Sequence, residues 1–211
     1  MSAHNPTAIN PWTVAQQFAS GDPATSTQYN QVDNNLSLMY ARPWMQVTAT
    51  SSTSTANNGA LFVPGSIPVT VSNSPASLYG SITFGAVGST YGFTIPAGLQ
   101  GMFRITMTVS VAAQATGITY GMIATGLGGA TANNWAYSCR APSSTTVATS
   151  AQFSFLVPMS GNGTTGAYPT QVGFTFLTTT TVATSISVPP SYTNGTYAQI
   201  EYLGASTGSI Y

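Results

Sequence analysis

Residues 101–111 read Gly-Met-Phe-Arg-Ile-Thr-Met-Thr-Val-Ser-Val. Phe103, Ile105, Met107, Val109 and Val111 fall on one side of an extended chain, and Arg104, Thr106, Thr108 and Ser110 on the other. Neighbouring side chains of a strand point to opposite faces, so the alternation predicts a strand with one buried and one wet face. The pattern recurs along the chain. Met45, Val47 and Ala49 alternate with Gln46, Thr48 and Thr50. Further strands are expected around Ile67–Val71, Ser81–Phe84, Ile118–Ala124, Trp135–Cys139, Ala151–Val157, Val172–Thr178, Val182–Val188 and Thr196–Leu203. Turn-forming stretches separate them: Gly126-Leu127-Gly128-Gly129, Ser160-Gly161-Asn162-Gly163, Pro189-Pro190 and Asn194-Gly195. The Ser/Thr/Asn-rich run from Ser51 to Gly59 reads as a loop, and Thr178–Thr181 as the exposed end of a hairpin. About ten strands without an interleaved helix predict a mainly β, antiparallel sandwich, with no repeat of solenoid or propeller length. Its candidate core is Phe103, Ile105, Met107, Val109, Val111, Phe153, Phe155, Phe174, Phe176, Ile200 and Tyr202.

Upstream of Pro43 the pattern changes. Residues 1–21 hold Pro6, Pro11, Trp12, Phe18 and Gly21 without a sustained period, which predicts an extended arm. Trp12 and Phe18 have no local core to enter; they dock on a neighbouring subunit or fold back on their own domain. A helix is expected next, with Asp22 as N-cap and Pro23 at its first position. Tyr29, Val32, Leu36 and Met39 form its apolar stripe, against a mostly polar face. Arg42 complements the helix dipole in the last turn and Pro43 ends the element. Rich in Asn, Ser and Thr, such a helix is marginal alone and needs a partner surface. That surface is its own domain, a three-helix bundle or a host ring. The expected organisation is therefore an arm and anchoring or trimerisation helix over 1–42, and a sandwich domain over 43–211.

Composition narrows the function. Of 211 residues only 3% are charged: Asp22, Asp33, Glu201, Arg42, Arg104 and Arg140, with no lysine and a net charge of zero. A typical soluble domain carries roughly 25%. Three scattered arginines cannot release the counterions that nucleic-acid binding requires. A chain this close to neutral tends to associate. The opening MSAHNPTAINPW has neither a basic nor an apolar leader region, so no Sec-type signal peptide is expected, and no apolar run is long enough to span a bilayer. The lone Cys139 excludes an internal disulfide, and the sequons at Asn35, Asn162 and Asn194 read as chance in so Asn- and Thr-rich a chain.

Two stretches carry a resemblance. Tyr91-Gly-Phe-Thr-Ile-Pro-Ala-Gly-Leu-Gln-Gly-Met-Phe-Arg-Ile-Thr-Met resembles the strand entry of C1q/TNF-like jelly rolls, and Thr196-Tyr-Ala-Gln-Ile-Glu-Tyr-Leu-Gly-Ala their closing strand. Upstream, Trp12, Gly21, Thr25, Asn30, Val32-Asp-Asn-Asn-Leu and Arg42-Pro43 are similar to a signature of minor virion proteins of tailed phages. There it leads a short helix directly before a jelly roll. The helix here carries less charge than that signature, and the first strand lacks its valine–glutamate character. The resemblance implies a C1q/TNF-like jelly roll that trimerises and is mounted on a particle, of the decoration, head-fibre or minor tail type. Head and tail stay open.

Catalysis needs titratable groups, and few are present. His4 lies in the arm, remote in sequence from any nucleophile. Asp22 and Asp33 belong to the helix segment and Glu201 to the last strand, so no carboxylate pair is expected to converge as glycoside hydrolysis requires. A His/Cys/Asp/Glu metal site fails on supply, although Asn side chains and carbonyls leave a Ca²⁺ site open. Cys139 beside Arg140 reads as a small buried core residue rather than a reactive thiol. Arg104 is expected on the polar face, pairing with Glu201 across strands or subunits. Tyr91, Tyr120, Tyr168, Tyr192, Tyr197, Tyr202 and Tyr211 suit either a trimer interface or sugar stacking. The function expected is thus non-enzymatic and structural: a homotrimer without cofactor or metal, made in the host cytoplasm and exposed on a virion. Its partners would be capsid or tail proteins, with no nucleic acid and no membrane insertion. The alternative is a tail adhesin whose partner is a host surface glycan.

Overall fold

A computed structural model describes residues 26, 29, 36, 42–49, 53–55, 59, 62, 80–97, 99–115, 117–128, 135–161, 168–179, 184–186 and 195–204. Ser26, Tyr29 and Leu36 are helical, and Arg42 and Pro43 have no regular structure. Trp12, Phe18, Val32 and Met39 lie outside the described residues, as does the strand expected at Ile67–Val71. The rest is β: β1 (Trp44–Thr48), β2 (Thr53–Thr55), β3 (Thr83–Val87), β4 (Thr90–Thr94), β5 (Gln100–Val111), β6 (Thr119–Leu127), β7 (Ala136–Pro142), β8 (Thr149–Ser160), β9 (Gln171–Thr178), β10 (Thr184–Ile186) and β11 (Tyr197–Gly204).

These strands form two antiparallel sheets. The first runs β1-β11-β5-β10-β2, with β8 also paired to β5; the second runs β3-β4-β9-β6-β7. The chain passes repeatedly from one sheet to the other, the wiring of a jelly roll. β5 is central. β8 matches it from Gln100↔Ser160 to Val111↔Thr149. On its other edge β11 pairs from Tyr197↔Thr108 to Gly204↔Met102, and β10 adds Ile186↔Val111. Beyond the end of β11, the Thr196 hydroxyl takes over the ladder by accepting from the Ser110 N–H at 3.0 Å. The Thr196 carbonyl accepts from the Ala49 N–H at 2.9 Å, which ties the end of β1 to the same point.

The core lies between the sheets. Met45, Val47, Ala198, Ile200 and Tyr202 join the five buried apolar residues of β5 from one side. Phe93, Tyr120, Met122, Ala124, Val172, Phe174 and Phe176 close on them from the other. Phe174 packs edge-to-face with Phe62 and Phe93, at 5.8 and 5.5 Å between ring centroids. Phe153 and Phe155, placed in the core by alternation, sit on the core side of β8 but are half-buried, because β8 is an edge strand among the described residues.

Three local expectations change. β2 lies within the stretch read as a loop, Ser51 to Gly59, where it pairs with β10. Thr178 is buried rather than exposed, because β9 and β10 belong to different sheets and the connection between them is no hairpin. The polar face of β5 is wet only in part, since Thr108 and Ser110 are both buried. A two-residue turn at Gly88-Ser89 joins β3 to β4, and Gly88 takes the left-handed conformation it needs, with φ at 59°.

Two glycines test this packing. A Cβ on Gly121 would run into the Cys139 carbonyl oxygen of the paired strand, whereas one on Gly85 meets nothing within 4 Å. Gly121→Ala is expected to cost about 1–3 kcal/mol. Gly85→Ala should be neutral or stabilise by about 0.4–1 kcal/mol. Urea midpoints at unchanged slope measure both, and equal effects would contradict the placement.

Candidate association surface

The outward face of the first sheet is built in rows by strand register. Trp44, Glu201, Arg104 and Leu156 lie opposite one another across β1, β11, β5 and β8. The next row is Gln46, Gln199, Thr106 and Ser154, and the third Thr48, Tyr197, Thr108 and Gln152. Strands sit about 4.8 Å apart, so each row is roughly 14 Å wide. Arg104 and Glu201 form the one ion pair among the described residues, Nη1 to Oε2 at 3.5 Å, within the chain rather than between subunits. At 51% and 30% side-chain exposure it is solvent-screened and contributes at most a fraction of a kcal/mol.

Neutral hydrogen bonds do the remaining work on this face. Thr106 and Ser154 hydroxyls meet at 3.2 Å, and the Ser110 hydroxyl donates to that of Ser150 at 3.1 Å. The Gln152 amide donates to the Tyr197 hydroxyl at 3.2 Å. Gln152 and Tyr197 flank Thr108 on the same face, so their bond spans it, and that is why Thr108 is buried on a face read as wet.

The face ends at β8, whose twelve residues carry no charge and whose far edge has no partner strand among the described residues. Leu156 is 53% exposed on it, and Val147 just before it 60%. β7, the edge of the second sheet, lies alongside. Tyr137 stacks on Phe155 at 4.7 Å with 16° between the ring planes, and Trp135 packs against both. This aromatic group closes the open end of the sandwich. The indole N–H of Trp135 is buried without a hydrogen-bond partner among the described residues.

The remaining candidates separate. Tyr29 and Leu36 are exposed. Tyr120 and Tyr202 are core residues, which removes them from any binding surface; the Tyr202 hydroxyl donates to the Gln100 carbonyl at 3.2 Å. Tyr91, Tyr168 and Tyr197 are half-buried, and Tyr192 and Tyr211 lie outside the described residues. Cys139 is half-buried on an edge strand rather than a core residue. Burial pushes its thiol up, as it does the Tyr120 phenol, where the Thr149 hydroxyl pulls the other way. A raised thiol holds its proton and is a poor nucleophile at neutral pH. Among the described residues no three His, Cys, Asp or Glu side chains gather to hold a metal ion, and no helix is long and apolar enough to cross a membrane.

No family model matches the chain, and no curated protein matches its sequence. Solved structures do match. Eiger TNF from S. frugiperda superposes with a TM-score of 0.51 at 11% identity, over 81% of this chain and 98% of that one. Murine APRIL gives 0.48 at 11% identity, over 77% and 99%. The chain has a TNF-like jelly-roll fold. At such identity the likeness concerns the path of the backbone alone. It agrees with the resemblance to jelly-roll strands of Tyr91–Met107, which spans β4 and the first part of β5, and of the stretch that holds β11.

The two raised groups fix a sign for pH dependence. The folded chain holds both protons more tightly than the unfolded one, which releases them near 9.0 and 10.0. Their contribution is complete below those values and is lost as pH rises from them through the raised values of the folded chain. Urea midpoints are therefore expected to fall above about pH 9, less steeply in Cys139→Ser. A midpoint that rose with alkalinity would contradict this.

Proposed function

We propose that this chain is a non-enzymatic structural subunit that forms a homotrimer and is mounted on the surface of a tailed-phage particle through residues 1–42. The observation that carries the assembly part is the uncharged edge strand β8 beside a sheet face whose only charges neutralise each other. A long unpaired edge without charge is a template for association unless another surface covers it, and β8 holds just one blunting residue, Pro158, which removes a single donor. The β7–β8 edge and the outward face of the first sheet are different surfaces. Packing one on the other is a heterologous contact, and repeated by rotation it closes a ring. The phage-like signature of the N-terminal segment supports the mount on a particle, and the C1q/TNF-like stretches support a three-fold ring. Such a subunit requires no cofactor, no nucleic acid and no membrane.

Native mass measurement should give three chains. A monomer at micromolar concentration would overturn the assembly. Leu156→Asp, on the exposed side of the edge strand, should dissociate the trimer while leaving the β-type circular dichroism intact. Removing residues 1–42 should leave a folded trimer that no longer attaches to particles, read by co-sedimentation. Decoration by the truncated chain would show the mount to be elsewhere. Immunogold labelling of virions then assigns head or tail.

A further inference from the structure

Glu201 is the one carboxylate side chain among the described residues, and Arg104 beside it is one of three described cations. The pair stands in an apolar setting on the outward face of the first sheet. Trp44 and Leu156 flank it in its own row. Met102 and Pro158 lie opposite each other in the adjoining row, both half-buried. On the other side the next row supplies Gln199 and Thr106, which are neutral. Tyr197, one row further, is a phenol engaged with Gln152.

We propose that the neighbouring copy in the ring closes over this pair and makes the assembly acid-labile: it holds while Glu201 is ionised and comes apart when that carboxylate gains a proton. In the trimer proposed above, on which this rests, the β7–β8 edge of one copy packs on this face of the next. In the free subunit water screens both charges. Under a covering edge that water is displaced, and the two charges are tolerated only as a pair, since removing one strands the other. The arriving edge brings no substitute. β8 carries no charge, and of Tyr137, Cys139 and Arg140 on β7 only Arg140 is charged at acid or neutral pH. β1 offers Trp44 and Gln46, and Arg42 just before it is a further cation. Protonation of Glu201 therefore leaves only positive charge at the contact. The assembled form binds this proton more weakly than the free subunit, so acid favours the free subunit. With three equivalent contacts, the trimer weakens by up to about a thousandfold per pH unit once carboxylates titrate, ordinarily near about pH 4.

The test is the trimer dissociation constant of the full chain at about pH 7.5 and about pH 4, from sedimentation equilibrium, with circular dichroism following the β fold. The parent should be trimeric at the higher pH and at least about a hundredfold weaker at the lower. Glu201→Gln leaves Arg104 without a counter-charge, so it should be at least about tenfold weaker at the higher pH and change less than about threefold in acid. Arg104→Met with Glu201→Gln removes both charges and should assemble at both pH values. A parent equally tight at both would overturn the acid dependence and leave the ring standing. Acid dissociation of the double variant as steep as the parent's would overturn it too, and place the effect on His4, Asp22 or Asp33. Because acid also unfolds chains, the comparison at the higher pH stands by itself: Glu201→Gln assembled as tightly as the parent would overturn the proposal. A parent that is monomeric there would overturn the assembly itself.

Discussion

Pairing of β5 on both edges is the constraint from which the rest of the fold follows. β8 matches its full length on one side, and β11 with β10 occupies the other. Because the side-chain period is two, a slip of one residue would send Arg104 into the core and Phe103 into water. The register is thereby locked, and with it every row on the outward face. Arg104 meets Glu201, and Gln152 reaches Tyr197 across Thr108, because β5 fixes both neighbours. Thr196 extends the same lock past the end of β11, fully buried with its hydroxyl bonded to Ser110.

With 3% charged residues, the chain must build its surface from groups that bond to one another as readily as to water. The hydroxyl and amide contacts of Thr106, Ser154, Ser110, Ser150, Gln152 and Tyr197 are of that kind. Each contributes about 1 kcal/mol or less net, so they organise the face more than they stabilise it. No excess charge keeps copies apart. Selection between right and wrong contacts then falls to shape and to the order of donors and acceptors across the rows.

Strong period-two alternation made the long strands legible, and β5 was read to within one residue of its start. Legibility failed where tertiary context overrode pattern. Thr53–Thr55 has no apolar alternation to mark it, and becomes a strand because β10 supplies a partner. Thr108 and Ser110 alternate like surface residues, yet neighbours on adjoining strands cover or bond them. Tyr120 carries a polar tip that suggested a surface, while its ring fills core volume between the sheets beside Tyr202, whose place in the core its alternation with Ile200 marks. The Gly88-Ser89 hairpin is absent from the turns read in the sequence, because a lone glycine beside serine is a weaker signal than the Gly- and Pro-rich stretches elsewhere. For the association surface, the sequence showed the scarcity of charge but not which edge stayed open. That depends on strand order, and no local pattern encodes strand order.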